Sequence, residues 1–230
     1  RVLITGLSPA HGVDLARGFA DHGCRIVAHM PDSSAEAEVV LEVLAQSAAE
    51  VEASSQPLDS ARAAMEFAQR AAQAFGGLDV VINLIALDDA ELATDASVRE
   101  IESIVTDRLS AAFHITRVAA NRMRTTWVEG MILNVLLAPK SNAEAGIAMA
   151  CIARSALASM TRAEAGLVAD QAVRINAVGP RDLMQAKSRH EHALRSEPDI
   201  AALALFLASK RGKALSGHIF DLENVPAGCC

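Results

Sequence analysis

Residues 131–161 read MILNVLLAPKSNAEAGIAMACIARSALASMT. Met131 to Leu137 has the length and apolar character of a buried strand, and a Pro-containing connection follows it. From Ile147 to Leu167 the pattern predicts a long helix paved with small residues. Ala148, Ala150, Ala153, Ala156, Ser159 and Ala163 keep its surface low, so another helix can approach it closely. Strand, connection, helix is one step of an alternation that the rest of the chain repeats.

Towards the N-terminus, Val2 to Ile4 is a short apolar strand. The turn Thr5-Gly6-Leu7-Ser8-Pro9-Ala10-His11-Gly12 leads from it into a helical pattern through Val13, Leu15, Ala16, Phe19 and Ala20, closed by Gly23. A second strand runs from Ile26 to Ala28 and ends near His29-Met30-Pro31. Asp32 is placed to cap the helix that begins around Ser33 and Ser34. A helix is expected from Ala35 to Ala53, with a weak strand near Val51 to Gln56 and a second helix from Ser60 to Phe75. Val80 to Leu87 is a continuous apolar run of the kind found at the centre of a parallel sheet. After the polar connection Asp88 to Ser97, a helix from Val98 to Met123 buries one face through Ile101, Ile104, Val105, Leu109, Ala112 and Phe113. Trp127 is expected to anchor packing between that helix and the next strand. Ala172 to Val178, Asp199 to Ala208 and Ser216 to Leu222 complete the alternation. The chain 1–230 is therefore expected to be one α/β domain, a Rossmann-type doubly wound parallel sheet of about seven strands in three α/β/α layers.

Composition narrows the function classes. A net charge of -7 and no basic stripe argue against nucleic acid. No long apolar span or leader pattern is visible, so a cytoplasmic protein with no membrane partner is expected. Cys24, Cys151, Cys229 and Cys230 have no metal-ligand spacing, and reduced, mostly buried thiols are the expectation. The sequence holds no Tyr, which excludes tyrosine acid–base chemistry within it.

The first turn has the outline of a dinucleotide site, in which helix N-terminal amides cradle a pyrophosphate and glycines allow close approach. Here Gly6 and Gly12 flank Pro9 and Ala10, which obstruct the centre and remove an amide donor. A ribose-binding acid or Arg would fall near Met30, whose side chain can do neither.

Taken together, the Thr5-Gly6 turn, Leu78-Asp79-Val80-Val81-Ile82-Asn83, Val173-Arg174-Ile175-Asn176-Ala177-Val178-Gly179-Pro180 and Phe206-Leu207-Ala208-Ser209 followed by Ser216-Gly217 give the chain its likeness. It resembles the short-chain dehydrogenase/reductase family, in particular the 3-oxoacyl carrier-protein reductase type, over essentially its whole length. The resemblance places the middle turn glycine on Ala10 and the Asn-Ala-Gly segment beside the cofactor on Asn83-Leu84-Ile85-Ala86. It places the proton-relay Asn on Arg108, the catalytic Ser on Leu137, the catalytic Tyr on Ala150 and the catalytic Lys on Arg154. Arg181 follows Gly179-Pro180 where a Gly is usual, the lid implied between Pro180 and Asp199 is short, and Glu223-Asn224-Val225 replaces a closing Asp-Gly-Gly.

Leu137 and Ala150 carry no exchangeable proton, and Arg154 is no base near neutral pH. The resemblance, degenerate at these positions, implies a non-catalytic subunit that assembles with and stabilises an active short-chain dehydrogenase paralogue. It implies a heterotetramer, with NAD(P) in the catalytic partner and no cofactor or metal in this chain. The partner it suggests is a hydroxyacyl-CoA dehydrogenase of anaerobic aromatic degradation. Family helices at about Ser97 to Met123 and Ile147 to Leu167 pair across a two-fold axis, making Ala148, Ala153, Ala156, Ser159 and Ala163 interface candidates. Two alternatives stay open: displaced chemistry in the old cleft using Lys140, His11, Arg108 or Arg154, and a homo-oligomeric sensor of a nucleotide or acyl-CoA.

Overall fold

Strand and helix alternate along the chain because apolar runs with period two, or apolar on both faces, alternate with runs of helical period. The computed structural model describes residues 1–87, 96–137, 144–180, 194 and 196–222. Its strands are β1 (Val2–Thr5), β2 (Arg25–His29), β3 (Glu50–Ser54), β4 (Val80–Ala86), β5 (Gly130–Leu137), β6 (Val173–Pro180) and β7 (Ile219–Leu222). Its helices are α1 (Val13–Ala20), α2 (Ala35–Ser47), α3 (Ala61–Ala74), α4 (Val98–Thr125), α5 (Glu144–Leu167) and α6 (Glu197–Ala208). All strands are parallel in a 7-stranded sheet of order β3-β2-β1-β4-β5-β6-β7.

Alternate side chains of the central strands divide the core. Ile4, Ile82 and Leu133 pack with Leu15, Phe19 and Leu207 on the face covered by α1, α2 and α6. Leu3, Val81, Ile132 and Ile175 pack with Phe67, Ile115 and Ala165 under α3, α4 and α5. This is the three-layer α/β/α Rossmann-type architecture expected from the sequence. The strand order reverses between β1 and β4, which places the crevice of such a sheet at their C-terminal ends.

Several local expectations are corrected. α2 stops at Ser47, because Ala48 turns extended and Ala49 N–H donates to the Cys24 carbonyl at 3.0 Å, drawing the chain into β3 rather than on to Ala53. Tertiary pairing with β2 overrides helix propensity there, and Glu50 and Glu52 mark β3 as a charged edge. Ser34, not Asp32, caps α2; Asp32 accepts from the Ser34 amide and hydroxyl at 2.9 Å and orients the cap. β7 begins at Ile219 rather than Ser216, because Ser216 Oγ and Gly217 N–H are used by Ile175 in the preceding turn. Cys24 and Cys151 are half-buried free thiols rather than core residues. Trp127 does not anchor packing between α4 and β5: it is 94% exposed.

Candidate functional site

Three registered positions in the centre of the sheet carry polar side chains just below the crevice. Thr5, Asn83 and Asn134 are aligned across β1, β4 and β5. Thr5 Oγ1 donates to Asn83 Oδ1 at 2.9 Å, and Asn83 Nδ2 donates to Asn134 Oδ1 at 2.7 Å and to Thr116 Oγ1 at 3.3 Å. Thr116 Oγ1 closes the set by donating to Asn134 Oδ1 at 3.2 Å. All four are buried, so the network holds the strand ends in one arrangement. Asn83, the survivor of the cofactor-side segment, is thus part of the scaffold.

Above it, the turn that leads into α1 is tightly packed. Gly6 and Gly12 take left-handed backbone angles, φ 73° and 89°. A Cβ on Gly6 would lie 2.2 Å from the Leu84 carbonyl oxygen, and one on Gly12 would lie 2.2 Å from Leu84 Cδ1. Leu84 therefore leans into the space that the glycines leave. The amides of Ser8 and His11 are paired with each other's carbonyls at 3.0 and 3.1 Å. At the start of α1, Asp14 N–H donates to the Glu197 carboxylate at 2.7 Å. A pyrophosphate needs such amides unpaired and such a helix end free of competing anions. Met30 is buried in the core at the end of β2, and its amide donates to the Ser54 carbonyl at 2.9 Å.

His29 fastens this turn from below. Its Nδ1 accepts from Gly6 N–H at 3.3 Å and its Nε2 contacts the Gln56 carbonyl at 2.9 Å. A carbonyl can only accept, so Nε2 carries the proton and the ring is neutral. Burial holds the imidazole below its usual pKa.

Of the positions that the resemblance assigned to chemistry, Leu137 and Ala150 carry hydrocarbon side chains and Arg154 is paired. Leu137 ends β5, half-buried against the core, and Ala150 is half-buried on α5. Arg154 reaches across to β6 and β7: Nη1 donates to the Pro180 carbonyl at 2.7 Å, and Nη2 lies 2.6 Å from Asp221 Oδ1. That ion pair is a charge contact outside good hydrogen-bond alignment, since Asp221 Oδ1 has no hydrogen bond. Arg108 is exposed on α4, lining with Asp107, Ser110 and residues 58–61 a groove of about 490 Å³. That groove contains none of Leu137, Ala150 and Arg154. Ala153 is a further correction: it is fully buried among Leu136, Met149 and Leu157, so it faces the core rather than a partner. Ser159 and Ala163 are exposed, Ala148 and Ala156 half-buried. Lys140, Arg181, residues 223–225, Cys229 and Cys230 lie outside the described residues. Among the described residues, no three His, Cys, Asp or Glu side chains gather as metal ligands, and no helix is long and apolar enough to cross a membrane.

A family model described as short chain dehydrogenase matches residues 1–192. The chain belongs to that family. Its relatives within the short-chain dehydrogenases include the D-beta-hydroxybutyrate dehydrogenase of Cupriavidus necator, 24% identical with 96% of this chain and 95% of that protein covered. The 3-oxoacyl-[acyl-carrier-protein] reductase of Staphylococcus epidermidis is also 24% identical, with 96% of each chain covered. Among solved structures, a putative oxidoreductase from Escherichia coli superposes with a TM-score of 0.76 at 21% identity, over 96% of this chain and 94% of that one. A short-chain type dehydrogenase/reductase from Mycobacterium marinum has the same TM-score, 0.76, at 16% identity, covering 100% and 95%. At these identities the structural likeness speaks for the short-chain dehydrogenase fold alone.

Sequence reasoning missed two contributors to the short-chain dehydrogenase crevice, and the resemblance that set Leu84 beside the cofactor did not show that its side chain fills the glycine gap. Glu197 is remote from α1 in sequence, and His29 carried no motif; nothing local announced their contacts.

Proposed function

We propose that this chain is a non-catalytic subunit that assembles with an active short-chain dehydrogenase paralogue and stabilises or shapes it. The observation that carries the reading is the commitment of Arg154 to Pro180 and Asp221, in a chain with Leu137 and Ala150 at the other two reactive positions. Reduction or oxidation at a carbonyl needs a proton donor at the substrate oxygen, and neither hydrocarbon side chain supplies one. The residues of the first turn do not fit a dinucleotide: Leu84 fills the glycine gap, Ser8 and His11 consume their own amides, and Glu197 puts a carboxylate on the α1 N-terminus. NAD(P) then belongs in the partner. The exposed Ser159 and Ala163 on α5 support close helix approach by that partner in a heterotetramer.

The finer identity we infer is the partner of a hydroxyacyl-CoA dehydrogenase. The pattern of losses is similar to that of the non-catalytic subunit of 2-[hydroxy(phenyl)methyl]succinyl-CoA dehydrogenase in anaerobic toluene degradation. Co-expression with an active short-chain dehydrogenase paralogue from the same genome, followed by native mass determination, should give a complex containing both chains. Recovery of this chain alone under those conditions refutes the assembly. Calorimetry with NAD(H) and NADP(H) should show no heat of binding to the isolated chain at about 0.1 mM. Tight binding there overturns the reading of the first turn and favours the enzymatic alternative.

A further inference from the structure

At the end of the sheet opposite the crevice, where β5 begins, α4 ends in a motif with the wrong residue at its key position. Val128 N–H donates to the Met123 carbonyl at 3.0 Å and Trp127 N–H to the Arg124 carbonyl at 3.2 Å. Those two bonds define a Schellman ending, whose left-handed position is normally Gly. Trp127 occupies it at φ 55°, and no other non-glycine among the described residues has positive φ. The indole is also 94% exposed. A β-carbon is disfavoured in that conformation, and an exposed indole forfeits its hydrophobic contribution. The first effect opposes folding, the second gives nothing in return, and no contact among the described residues offsets the strain, which is the mark of a residue kept for a contact outside the chain.

The surroundings say what kind of contact. Arg122 and Arg124 are exposed on the last turn of α4. Lys213 reaches the same place from the turn after α6, its Nζ 2.5 Å from Glu129 Oε2. Lys210 is near enough, with Arg174, to help Lys213 hold the Glu129 carboxyl below its usual range. Glu129 is thus already paired, while Arg122 and Arg124 on the turn before Trp127, and Lys210 beside Glu129 two residues after it, give the neighbourhood an excess of positive charge in a protein of net charge -7. The turn after α5 is joined to the start of β5 by Gly130 N–H to the Ala172 carbonyl at 3.0 Å; the exposed Leu167 ends α5 and one acid, Asp170, lies in the turn.

We propose that this end of the sheet, centred on Trp127, is a docking surface for an acidic segment of a partner polypeptide, with the indole as its anchor. A rigid Trp beside Arg is the composition of a binding hot spot. The arrangement does not suit a nucleic-acid strand, which needs a basic track with several stacking platforms. Nor does it suit a lipid surface, which needs a continuous apolar face. The net negative charge repels large anionic surfaces, whereas a short acidic segment meets the local cations within a Debye length. Arg122 and Leu167 lie on the last turns of the two helices assigned to the heteromer proposed above, whereas Trp127 follows α4; peptide binding with no heteromer, or a heteromer with no peptide binding, tells the two readings apart.

Trp127 is the sole Trp of the chain, so its fluorescence reports on this surface alone. The full chain is titrated with a synthetic peptide of Glu interspersed with Leu, and in parallel with phosphatidylglycerol vesicles and a single-stranded oligonucleotide. The peptide should shift the emission to the blue and protect it from acrylamide, an effect that added salt weakens. Trp127→Gly, which supplies the residue that the ending prefers, should unfold at the same or a higher temperature yet bind the labelled peptide at least about tenfold more weakly. Arg122→Glu with Arg124→Glu should also abolish binding. The proposal is overturned if the peptide leaves emission and quenching unchanged, if vesicles or the oligonucleotide act as strongly as the peptide, or if Trp127→Gly lowers the unfolding temperature.

Discussion

Replacing Arg154 with Ala tests whether the guanidinium is a clamp for the sheet edge. In the folded chain it satisfies the Pro180 carbonyl at 2.7 Å and faces Asp221 at 2.6 Å, joining α5 to the ends of β6 and β7. Breaking a fully buried pair costs about 3–5 kcal/mol. The two side chains are 19% and 30% exposed, so water screens part of that loss in the variant. The unpaired Pro180 carbonyl adds a loss at the low end of about 1–3 kcal/mol. A net destabilisation of about 2–3 kcal/mol follows, which for a urea dependence of about 2–3 kcal/mol per molar lowers the midpoint by about 1 M. Arg154→Lys should lose about half as much, because a point charge cannot serve a carbonyl and a carboxylate with a fixed fork. Urea unfolding of Arg154→Ala, Asp221→Asn and the double variant closes a thermodynamic cycle, with an expected coupling of about 1 kcal/mol or more. A loss below about 0.5 kcal/mol, or strict additivity, would refute the clamp and return Arg154 to the list of groups free to hold a ligand.

His29 makes stability depend on pH in a defined window. Burial lowers its folded pKa below the ordinary 6.5, so its contribution is complete above 6.5 and is lost as pH falls from there towards the folded value. His29→Gln should flatten thermal stability across that window; an unchanged slope would exclude His29 as its source. Asp79, held at about 2 by the hydrogen bond from Arg1, loses its contribution only at lower pH, between 3.8 and about 2. Leu84→Ala should lower stability by about 2–3 kcal/mol in denaturant titrations, near the low end for a core Leu because of its place beside the crevice. It should gain no NAD(H) affinity by calorimetry while the Ser8, His11 and Asp14 amides stay paired, and acquired binding would identify Leu84 as the sole obstruction. Asn83→Leu should cost about 3 kcal/mol by urea unfolding, because Thr5, Thr116 and Asn134 lose a buried partner; a cost under about 1 kcal/mol would show that they re-pair without it.

The layers of this fold were legible because they rest on local pattern. Val80 to Ala86 is buried along nearly its whole length, as its unbroken apolar run implied, and the small residues of α5 gave its length to within a turn. What depended on partners far along the chain was not legible. Nothing around Arg154 names Asp221, and the resemblance that set Leu84 beside the cofactor did not show its side chain bending towards Gly12. Trp127 shows the limit most clearly. Its position after a helix suggested packing, but a left-handed backbone at the helix end turns the indole outward, and that angle is set by the ending's hydrogen bonds rather than by residue type.

Loss and gain in this crevice are chemically linked. In an active short-chain dehydrogenase site, a glycine gap, unpaired amides and a lone cation are each unfavourable for the free protein, because each is held ready for a ligand. Here Leu84 fills the gap, Ser8 and His11 pair their amides, Glu197 caps α1, and the cation at position 154 is neutralised by Asp221. Every one of these contacts stabilises the chain without ligand and weakens the case for one. Under the non-catalytic role proposed above, that exchange is a gain, since the crevice no longer has to stay open. Trp127 runs the other way, keeping an unfavourable angle and an exposed indole at the opposite end of the sheet, as the proposed docking surface requires.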